Sequence, residues 1–294
     1  MTGLDDDGAG DTGAASFRSG FCTIVGRPNV GKSTLLNRVL GQKVSIVSNK
    51  PQTTRTEVRG VLHRPGHQVV FLDTPGVHKP RTLLGQRLND TADHALSDVD
   101  VVVLMVDAAA KIGKGDEWVA NRVPKGSLLA LNKCDAATHE EIAQQLLRAA
   151  AFGLDEYFPI SARSGKGVDA LVDAIVARLP EGPPYYPEGT VTDVPEAFMV
   201  AELVREQLLA IAYEELPHSI ATRCVEWEWP RIRIEILVER DSQKGIVIGK
   251  GGEVLKKVGT AVREQLPEGA FVELFVKVDK DWQRHPKSLE RFGY

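Results

Sequence analysis

The sequence contains few cysteines and no apolar run long enough to cross a membrane. Its three cysteines, Cys22, Cys134 and Cys224, are isolated from one another and form no C-x-x-C pair. This spacing argues against a disulfide framework or a structural zinc site and fits a reducing cytoplasm. The longest apolar run, Val101 to Val106, is far shorter than the about 20 residues that span a bilayer, so it predicts a buried parallel strand.

The sequence also lacks an excess of positive charge. Its formal net charge of −4 gives no overall attraction to nucleic acid, so any such binding has to come from a local surface. A length of 294 residues suits two domains. The first residues are rich in Gly, Asp, Ala and Thr and lack the basic and apolar regions of a signal peptide. We therefore predict a disordered tail over residues 1–17.

A glycine-rich motif follows the apolar run Phe21 to Val25. Residues 26–33 match G-x-x-x-x-G-K-[ST], the pattern of a loop whose backbone N–H groups converge on phosphates at the start of a helix. Lys32 is predicted to reach the β- and γ-phosphates and Ser33 to bind Mg²⁺. The motif by itself does not distinguish ATP from GTP. The predicted phosphate-binding residues are Gly26, Arg27, Pro28, Asn29, Val30, Gly31, Lys32, Ser33 and Thr34.

Two further segments are predicted to complete the phosphate end of the site. A D-x-x-G motif ends an apolar run and consists of Asp73, Thr74, Pro75 and Gly76. We expect Asp73 to hold Mg²⁺ through water and the Gly76 N–H to sense the γ-phosphate. The polar residues 51–55, which we call the switch segment, lie between the two motifs. Thr54, in preference to Thr53, is predicted to close over Mg²⁺ and the γ-phosphate.

Guanine selectivity is predicted by the N-K-C-D segment at residues 132–135, which follows another apolar run. Asp135 can accept two hydrogen bonds from guanine N1 and N2, which adenine cannot offer. Charge-assisted bonds of this kind contribute about 1.5–3 kcal/mol each. Lys133 is expected to lie along the base, and Asn132 to tie the segment to the phosphate loop. Ser161, Ala162 and Arg163 complete the predicted base site, with the Ala162 N–H facing guanine O6. The ligands are therefore predicted to be GTP and GDP.

Slow hydrolysis is predicted by the residue after the D-x-x-G glycine. Many signalling GTPases carry Gln there to orient the attacking water, whereas this chain has Val77. An apolar side chain cannot position water, and phosphoryl transfer depends on positioning and charge neutralisation. Asn29, whose amide oxygen lies in the phosphate loop, is a candidate ligand for K⁺. The alternative, an asparagine that only satisfies the loop backbone, stays open.

The organisation of the chain predicts an α/β domain followed by an α+β domain. Strand-like runs near residues 21, 58, 69, 101, 128 and 157 alternate with helical patterns at residues 83–97 and 140–152. This alternation is typical of a doubly wound, mostly parallel sheet, which we assign to residues 18–181. The Pro/Gly-rich residues 182–191 are predicted to be a linker.

Residues 192–294 form the second predicted domain. A helix over 196–215 precedes strands at 220–228 and 231–240, a G-x-x-G at 249–252 set between helices, and a strand at 271–278. This order matches a type II KH domain, whose G-x-x-G loop lets phosphates approach the backbone. An ordinary helix-to-helix turn, with a solvated charged face beside it, is the alternative. The predicted RNA-binding residues are Val247, Ile248, Gly249, Lys250, Gly251, Gly252, Lys244, Lys256 and Lys257.

The tryptophans of the second domain are open to two interpretations. Trp227, Trp229 and Trp282 could stack on bases. For Trp227 and Trp229 we favour packing in the core or in an interface.

The whole chain from about residue 19 resembles the Era family of bacterial GTPases. The resemblance rests on the phosphate-loop motif at residues 26–37, Lys-Pro-Gln-Thr-Thr-Arg from Lys50, and Asp-Thr-Pro-Gly-Val-His-Lys-Pro from Asp73. It rests further on the N-K-C-D segment, Glu-Leu-Pro-His-Ser from Glu215, and Val-Ile-Gly-Lys-Gly-Gly from Val247. His218 and Thr56 depart from the usual Tyr and His of the family, at positions outside the predicted sites.

The resemblance implies a P-loop GTPase with a type II KH domain that assists assembly of the small (30S) ribosomal subunit. GTP is expected to close the switch regions and to favour binding near the 3′ end of 16S ribosomal RNA, with hydrolysis permitting release. A cytoplasmic location is implied, with peripheral membrane association left open, and we expect a monomer. Two alternatives remain: a GTPase whose second domain binds a protein or the membrane surface, and a different ribosome-assembly or tRNA-modification GTPase.

Overall fold

The first domain is built on one six-stranded sheet. The computed structural model describes residues 17–77, 80, 82–212 and 216–294, so the predicted tail lies outside the described residues except for Phe17. The strand order is β2-β3-β1-β4-β5-β6. The strands are β1 (Arg18–Gly26), β2 (Val58–Arg64), β3 (His67–Asp73), β4 (Val101–Asp107), β5 (Leu128–Asn132) and β6 (Glu156–Pro159). β1 is parallel to β3 and β4, and only β2 is antiparallel within this sheet.

Five helices of the first domain cover both faces of the sheet, four of them connecting successive strands and the fifth following β6. They are α1 (Lys32–Leu40), α2 (Leu83–Ser97), α3 (Lys114–Ala120), α4 (His139–Ala149) and α5 (Val168–Ala177). Two apolar clusters lie on opposite faces: one includes Leu36, Val103 and Leu171, and the other includes Ala92, Leu104 and Val119. The predicted doubly wound, mostly parallel fold is confirmed. The short helix α3 is absent from the sequence prediction.

The predicted linker lies against the free edge of the sheet. The buried Gln68 accepts hydrogen bonds from the N–H groups of Tyr185 (2.7 Å) and Tyr186 (3.0 Å). Its amide nitrogen donates to the Tyr186 carbonyl at 2.8 Å. Further along, the Val61 N–H donates to the Val191 carbonyl at 2.8 Å. These hydrogen bonds hold the Pro/Gly-rich residues against β2 and β3, so the segment that connects the two domains packs on the first domain in this structure.

The second domain has the α, β, β, α, α, β order expected of a type II KH domain, with one additional short helix, α7, before the first strand. Its elements are α6 (Glu196–Ile211), α7 (Leu216–Ser219), β7 (Ala221–Glu228), β8 (Arg231–Val238), α8 (Asp241–Ile248), α9 (Glu253–Arg263) and β9 (Phe271–Val278). The sheet order is β7-β8-β9, with β8 parallel to β9. The helix predicted to reach Glu215 ends at Ile211, and residues 213–215 lie outside the described residues.

The C-terminal residues form an element that the sequence did not predict. A 3-10 turn at Trp282–Arg284 leads into α10 (Pro286–Arg291). Trp282 is fully buried and donates its Nε1–H to the Ser219 carbonyl at 2.9 Å. Stacking of Trp282 on bases is therefore excluded. Trp227 and Trp229 have exposed fractions of 37% and 52%, so neither is packed in the core, and their packing in an interface stays a prediction.

The two domains share apolar and polar contacts. Leu84 and Leu88 of α2 pack in one cluster with Trp282, Leu289 and Phe292 of the C-terminal element. Ile46 of the first domain joins the core of the second. In the described part of the chain, no helix combines the length and the apolar character needed to cross a membrane.

Candidate nucleotide site and KH loop

The phosphate loop joins β1 to α1 at the carboxyl end of the central strand. Gly31 has φ 106°, which side-chain-bearing residues rarely adopt. A Cβ atom there would lie 2.3 Å from Asn132 Nδ2, and one on Gly26 would lie 2.4 Å from the Met105 carbonyl oxygen. Both positions thus require glycine, because the Asn132 side chain and the Met105 carbonyl leave no room for a Cβ atom. The Arg27 side chain points away from the loop towards α3 and forms an ion pair with Asp116 at 3.1 Å.

Lys32 is buried within the loop. Its Nζ donates to the carbonyls of Gly26 and Arg27, each at 3.3 Å. Burial lowers the pKa of Lys32 to about 8, and the nearby Asp73 opposes that shift. Phosphate oxygens are stronger partners for a buried ammonium than carbonyl oxygens are. The position of Lys32 is therefore suited to a nucleotide phosphate.

Three oxygen-bearing side chains meet at the predicted Mg²⁺ position. Ser33 Oγ and Thr54 Oγ1 are 3.0 Å apart, and Thr54 Oγ1 donates to Asp73 Oδ2 at 3.3 Å. Ser45, which the sequence prediction missed, donates to the same carboxylate oxygen at 2.8 Å. Thr53 points elsewhere, since its hydroxyl donates to the Lys50 carbonyl at 2.7 Å. The geometry thus places Thr54, the residue preferred from the sequence, beside Ser33 and Asp73.

Asp73 carries a second observation that suits a hydrated cation. Its Oδ1 atom is buried and has no hydrogen-bond partner within the described residues. Burial raises the pKa of Asp73, although Lys32 and the hydroxyl donors counteract it. Hydroxyl and carboxylate oxygens with room for water are the ligands that Mg²⁺ uses in nucleotide sites. The donor set therefore fits Mg²⁺.

The D-x-x-G turn touches the phosphate loop directly. A Cβ on Gly76 would lie 2.9 Å from Pro28 Cα, so only glycine permits this approach. Thr74 donates its hydroxyl hydrogen bond to the Ile24 carbonyl at 3.2 Å. Pro75 follows Thr74 and precedes Gly76 in the turn. Val77 is buried, and its N–H donates to the Gly26 carbonyl at 3.4 Å. The position next to Gly76 therefore serves packing.

Asn132 connects the three loops of the base end. Its Nδ2 donates to the Val30 carbonyl at 2.8 Å, and its Oδ1 accepts from the Ala162 N–H at 2.9 Å. The predicted tie to the phosphate loop is thus present. The Ala162 N–H was expected to face guanine O6, but in this structure it donates to Asn132. Arg38, which the sequence did not single out, donates to the Ala162 carbonyl at 3.2 Å and to the Arg163 carbonyl.

The remaining base-site residues lie at the same edge of the sheet. Lys133 has φ 66° and pairs with Asp107 at 2.6 Å. Asp135 is exposed in the 3-10 turn Cys134–Ala136, and Ser161 is buried with its Oγ accepting from the Ser164 N–H at 3.1 Å. Asp135 therefore has an open approach for a base.

The KH loop, residues 249–252, projects between α8 and α9. Gly249, Gly251 and Gly252 have φ values of 74°, 60° and 81°. Open space surrounds Gly251 and Gly252, since a Cβ atom on either meets no described atom within 4 Å. Lys250 is exposed at the loop tip. The loop thus presents its backbone to solvent, as a phosphate-contacting loop requires.

The neighbours of the KH loop follow the predictions only in part. Lys256 and Lys257 are exposed on α9, and Lys244 is half-buried on α8. Val247 is wrong as an RNA-contacting residue because its side chain lies in the domain core with 2% exposure. Ile248 is half-buried and packs against that core. Ile246, exposed by 59%, is the apolar side chain available on this surface, and no periodicity argument singled it out.

The fold and the two sites define a phosphate-loop GTPase joined to a KH domain. A family model described as "50S ribosome-binding GTPase" matches residues 21–133, and a KH domain model matches residues 215–283. GTPase Era of Mycolicibacterium smegmatis is 46% identical over 95% of this chain and 99% of its own length. GTPase Era of Clostridium botulinum (strain Eklund 17B / Type B) is 44% identical over 95% and 99%.

Solved structures of Era share the arrangement of both domains. One is Era in complex with MgGDPNP and nucleotides 1506-1542 of 16S ribosomal RNA, with 38% identity, a TM-score of 0.90, and coverage of 95% of this chain and 99% of that one. A point variant of Aquifex aeolicus Era bound to GDP and AlF4⁻ gives 38% identity, a TM-score of 0.89 and the same coverage. The chain belongs to the Era family, and it is a GTPase.

Proposed function

We propose that this GTPase binds GTP with Mg²⁺ and, in that state, binds 16S ribosomal RNA to assist assembly of the small ribosomal subunit. The observation that carries the proposal is the likeness over 95% of the chain to an Era structure described with MgGDPNP and a 16S RNA fragment. The open KH loop supplies the surface that RNA needs. Hydrolysis to GDP then permits release. A cytoplasmic site of action and a monomeric state belong to the same proposal.

We infer the roles of the site residues from their positions. Lys32 holds the β- and γ-phosphates, and Ser33 and Thr54 coordinate Mg²⁺, which Asp73 holds through water. Asp135 selects guanine. Mg²⁺ held by these residues would supply positive charge to neutralise the transferring phosphoryl group. Val77 leaves the attacking water without a side-chain partner at that position, which supports a slow intrinsic rate.

The experiment that tests RNA gating compares three samples at fixed salt, since phosphate contacts make affinity salt-dependent. Binding of 16S RNA to the full chain is measured with a non-hydrolysable GTP analogue, with GDP, and with the Lys250→Asp/Gly251→Asp variant. We expect tight binding only with the analogue and the intact KH loop. Lys125→Asp, at an exposed lysine in the turn before β5, is the control for a charge change elsewhere. Binding indifferent to nucleotide and loop would mean that the second domain serves a protein or a membrane surface.

We further propose K⁺ as an auxiliary cation at Asn29. Asn29 Nδ2 donates to the Asn49 carbonyl at 2.8 Å, so the amide nitrogen is turned toward the segment that leads to the switch. This orientation directs Oδ1, the metal-binding atom, away from Asn49. Hydrolysis is measured in K⁺ and in Na⁺ for the parent and for Asn29→Ser. Equal rates in both salts for the parent would remove K⁺ from the proposal.

A further inference from the structure

The backbone on either side of Thr54 is held by the second domain. Arg205 of α6 donates to the Thr53 carbonyl through Nη2. Arg55 extends from the switch segment into the second domain, where Nη1 donates to the Ile220 carbonyl at 2.6 Å and Nη2 to the His218 carbonyl at 3.2 Å. Thr54, between these two anchors, is the residue that faces Ser33 and Asp73. The KH domain thus touches both neighbours of the predicted Mg²⁺ ligand.

Arg55 binds the carbonyl groups at the C-terminal end of α7 in the second domain. The carbonyls that it contacts, including that of Pro217 at 3.3 Å, belong to the last turn of α7 and the residue after it. Carbonyl groups at the C-terminal end of a helix lack intrahelical hydrogen-bond partners. The guanidinium of one arginine carries several N–H groups and can donate to several of these carbonyls. The guanidinium also lies 5.8 Å from the ring centroids of Trp282 and of Tyr294. A single side chain therefore links the switch segment to α7 and to the C-terminal element.

Both arginines are buried in the domain interface. Arg55 is 3% exposed and Arg205 is 0% exposed. Arg205 pairs with Glu202 of its own helix, with Nε donating to Oε1 at 2.8 Å. Removing the partner of a buried charge leaves that charge uncompensated, which is strongly unfavourable. The interface therefore favours one position of the 53–55 backbone whenever the domains are docked.

We propose that Arg205 is a positioning residue for GTP hydrolysis, acting through Thr53 to set Thr54 at the Mg²⁺ site. The inference rests on the proposed role of Thr54 as a Mg²⁺ ligand. Arg205 touches no residue of the phosphate loop in the contacts described, so its effect passes through the switch backbone. The second domain thereby completes the catalytic arrangement of the first.

This arrangement separates the triphosphate state from the diphosphate state. Thr54 is predicted to act on Mg²⁺ and the γ-phosphate, whereas GDP is held by the phosphate loop and the base site. Loss of the Arg205 anchor should weaken the Mg²⁺-dependent GTP state and leave GDP affinity unchanged. Linkage is reciprocal, so a docked second domain favours Mg²⁺–GTP by the same factor that Mg²⁺–GTP favours docking.

The test uses the full chain and an Arg205→Met variant, which keeps much of the volume and removes the donors. We measure kcat, the Mg²⁺ concentration at half-maximal hydrolysis, and the affinities for GDP and for a non-hydrolysable GTP analogue. We expect kcat to fall about tenfold and the Mg²⁺ requirement to rise by a similar factor, as for loss of one charge-assisted hydrogen bond. GDP affinity should stay within about twofold, a change too small for loss of such a bond.

Two variants make the result specific. Arg87→Met is the matched control, because Arg87 also crosses the interface, to the Tyr294 carbonyl and to Glu290, without touching residues 53–55. It should leave the Mg²⁺ requirement unchanged. Arg205→Lys keeps the charge but lacks the planar fork that joins Glu202 to Thr53, and we expect an intermediate effect. If Arg205→Met fails a thermal-melting check, Arg205→Lys carries the test.

The outcomes distinguish this inference from the proposed function. Thr54→Ala serves as the reference for loss of the ligand itself. A normal Mg²⁺ requirement in Arg205→Met and Arg205→Lys, with an impaired Thr54→Ala, would overturn the positioning role while the proposed function stands. Equal defects in Arg87→Met and Arg205→Met would show general undocking and also overturn it. An unimpaired Thr54→Ala would reject the proposed Mg²⁺ ligand, and the positioning role with it.

Discussion

The base end and the switch end of the nucleotide site are held by different parts of the molecule. At the base end, Asn132 bonds the Val30 carbonyl at 2.8 Å and the Ala162 N–H at 2.9 Å, and Arg38 bonds the Ala162 carbonyl at 3.2 Å. All these groups belong to the first domain. At the switch end, the groups that bond the Thr53 carbonyl and the Arg55 guanidinium belong to the KH domain.

This difference indicates that recognition of the guanine base and the response to the γ-phosphate depend on different parts of the molecule. A base site whose contacts lie within the first domain is expected to bind guanine independently of the second domain. A switch segment anchored in the second domain is expected to respond both to the γ-phosphate and to the position of the KH domain. Variants of the base end should therefore affect GTP and GDP alike, whereas variants of the switch end should distinguish the two nucleotides.

The largest effect on nucleotide affinity is expected for Lys32→Ala, because the phosphate loop contacts both the base end and the switch end of the nucleotide site. The buried ammonium is the only side-chain charge that we assign to the phosphates, so we expect tight binding of GTP and GDP to be abolished. Isothermal titration of both nucleotides measures the loss. Lys125→Ala, at an exposed lysine in the turn before β5, is the control. Normal affinity of Lys32→Ala would reject the phosphate-loop assignment.

Asp135→Asn should change the base preference and leave the switch end intact. Two charge-assisted hydrogen bonds of about 1.5–3 kcal/mol each are at stake, so guanine selectivity should fall by several decades. Xanthine, which presents a carbonyl where guanine has its amino group, should be preferred. Competition between GTP and XTP for the variant measures the change. Retained GTP selectivity would contradict the assignment of Asp135.

Asn132→Ala tests whether the base end acts as a unit. The change leaves the buried Val30 carbonyl and the Ala162 N–H without their partner, at about 1–3 kcal/mol for each group. We expect GTP and GDP affinities to fall by a similar factor, together with a lower melting temperature. Fluorescent analogues of both nucleotides provide the comparison. A defect confined to GTP would show that the two ends are not separately held.

The smallest expected effect is a pH dependence common to both nucleotides. Burial lowers the pKa of Lys32 to about 8, and bound phosphate raises it again because a nearby negative charge favours the ammonium. Binding above that pH therefore takes up a proton, so affinity declines as pH rises through about 8, by at most about tenfold per unit. Lys32→Arg, whose guanidinium stays protonated, should abolish this dependence of nucleotide affinity on pH. A flat profile in the parent chain would mean that Lys32 remains charged throughout.

Much of the site could be predicted because its chemistry is encoded in contiguous residues. The phosphate loop, the D-x-x-G turn and the N-K-C-D segment each lie at a strand end, and parallel strands bring their carboxyl ends to one edge. The preference for Thr54 over Thr53 followed from position between motifs, and the structure places Thr54 by Ser33. The KH order of elements followed from periodicity and one glycine-rich loop.

Other features depended on contacts between residues far apart in the chain. Arg38, Ser45 and Arg205 carry no local signal, since an arginine or serine on a helix or loop is usually solvated. Val247 and Ile246 are neighbours of similar character, and the packing of α8 alone decides which is buried. Trp282 enters the core because α10 folds back over it.

The sequence by itself determined that this protein is a GTPase with a KH loop, and it placed the side chains proposed to bind guanine and Mg²⁺, each set by residue type at fixed short spacing. The tertiary structure alone decided how the two domains are joined. Burial of Arg55 and Arg205 depends on carbonyl groups more than 150 positions away in sequence, and such pairing follows from packing of whole domains, which local spacing does not encode.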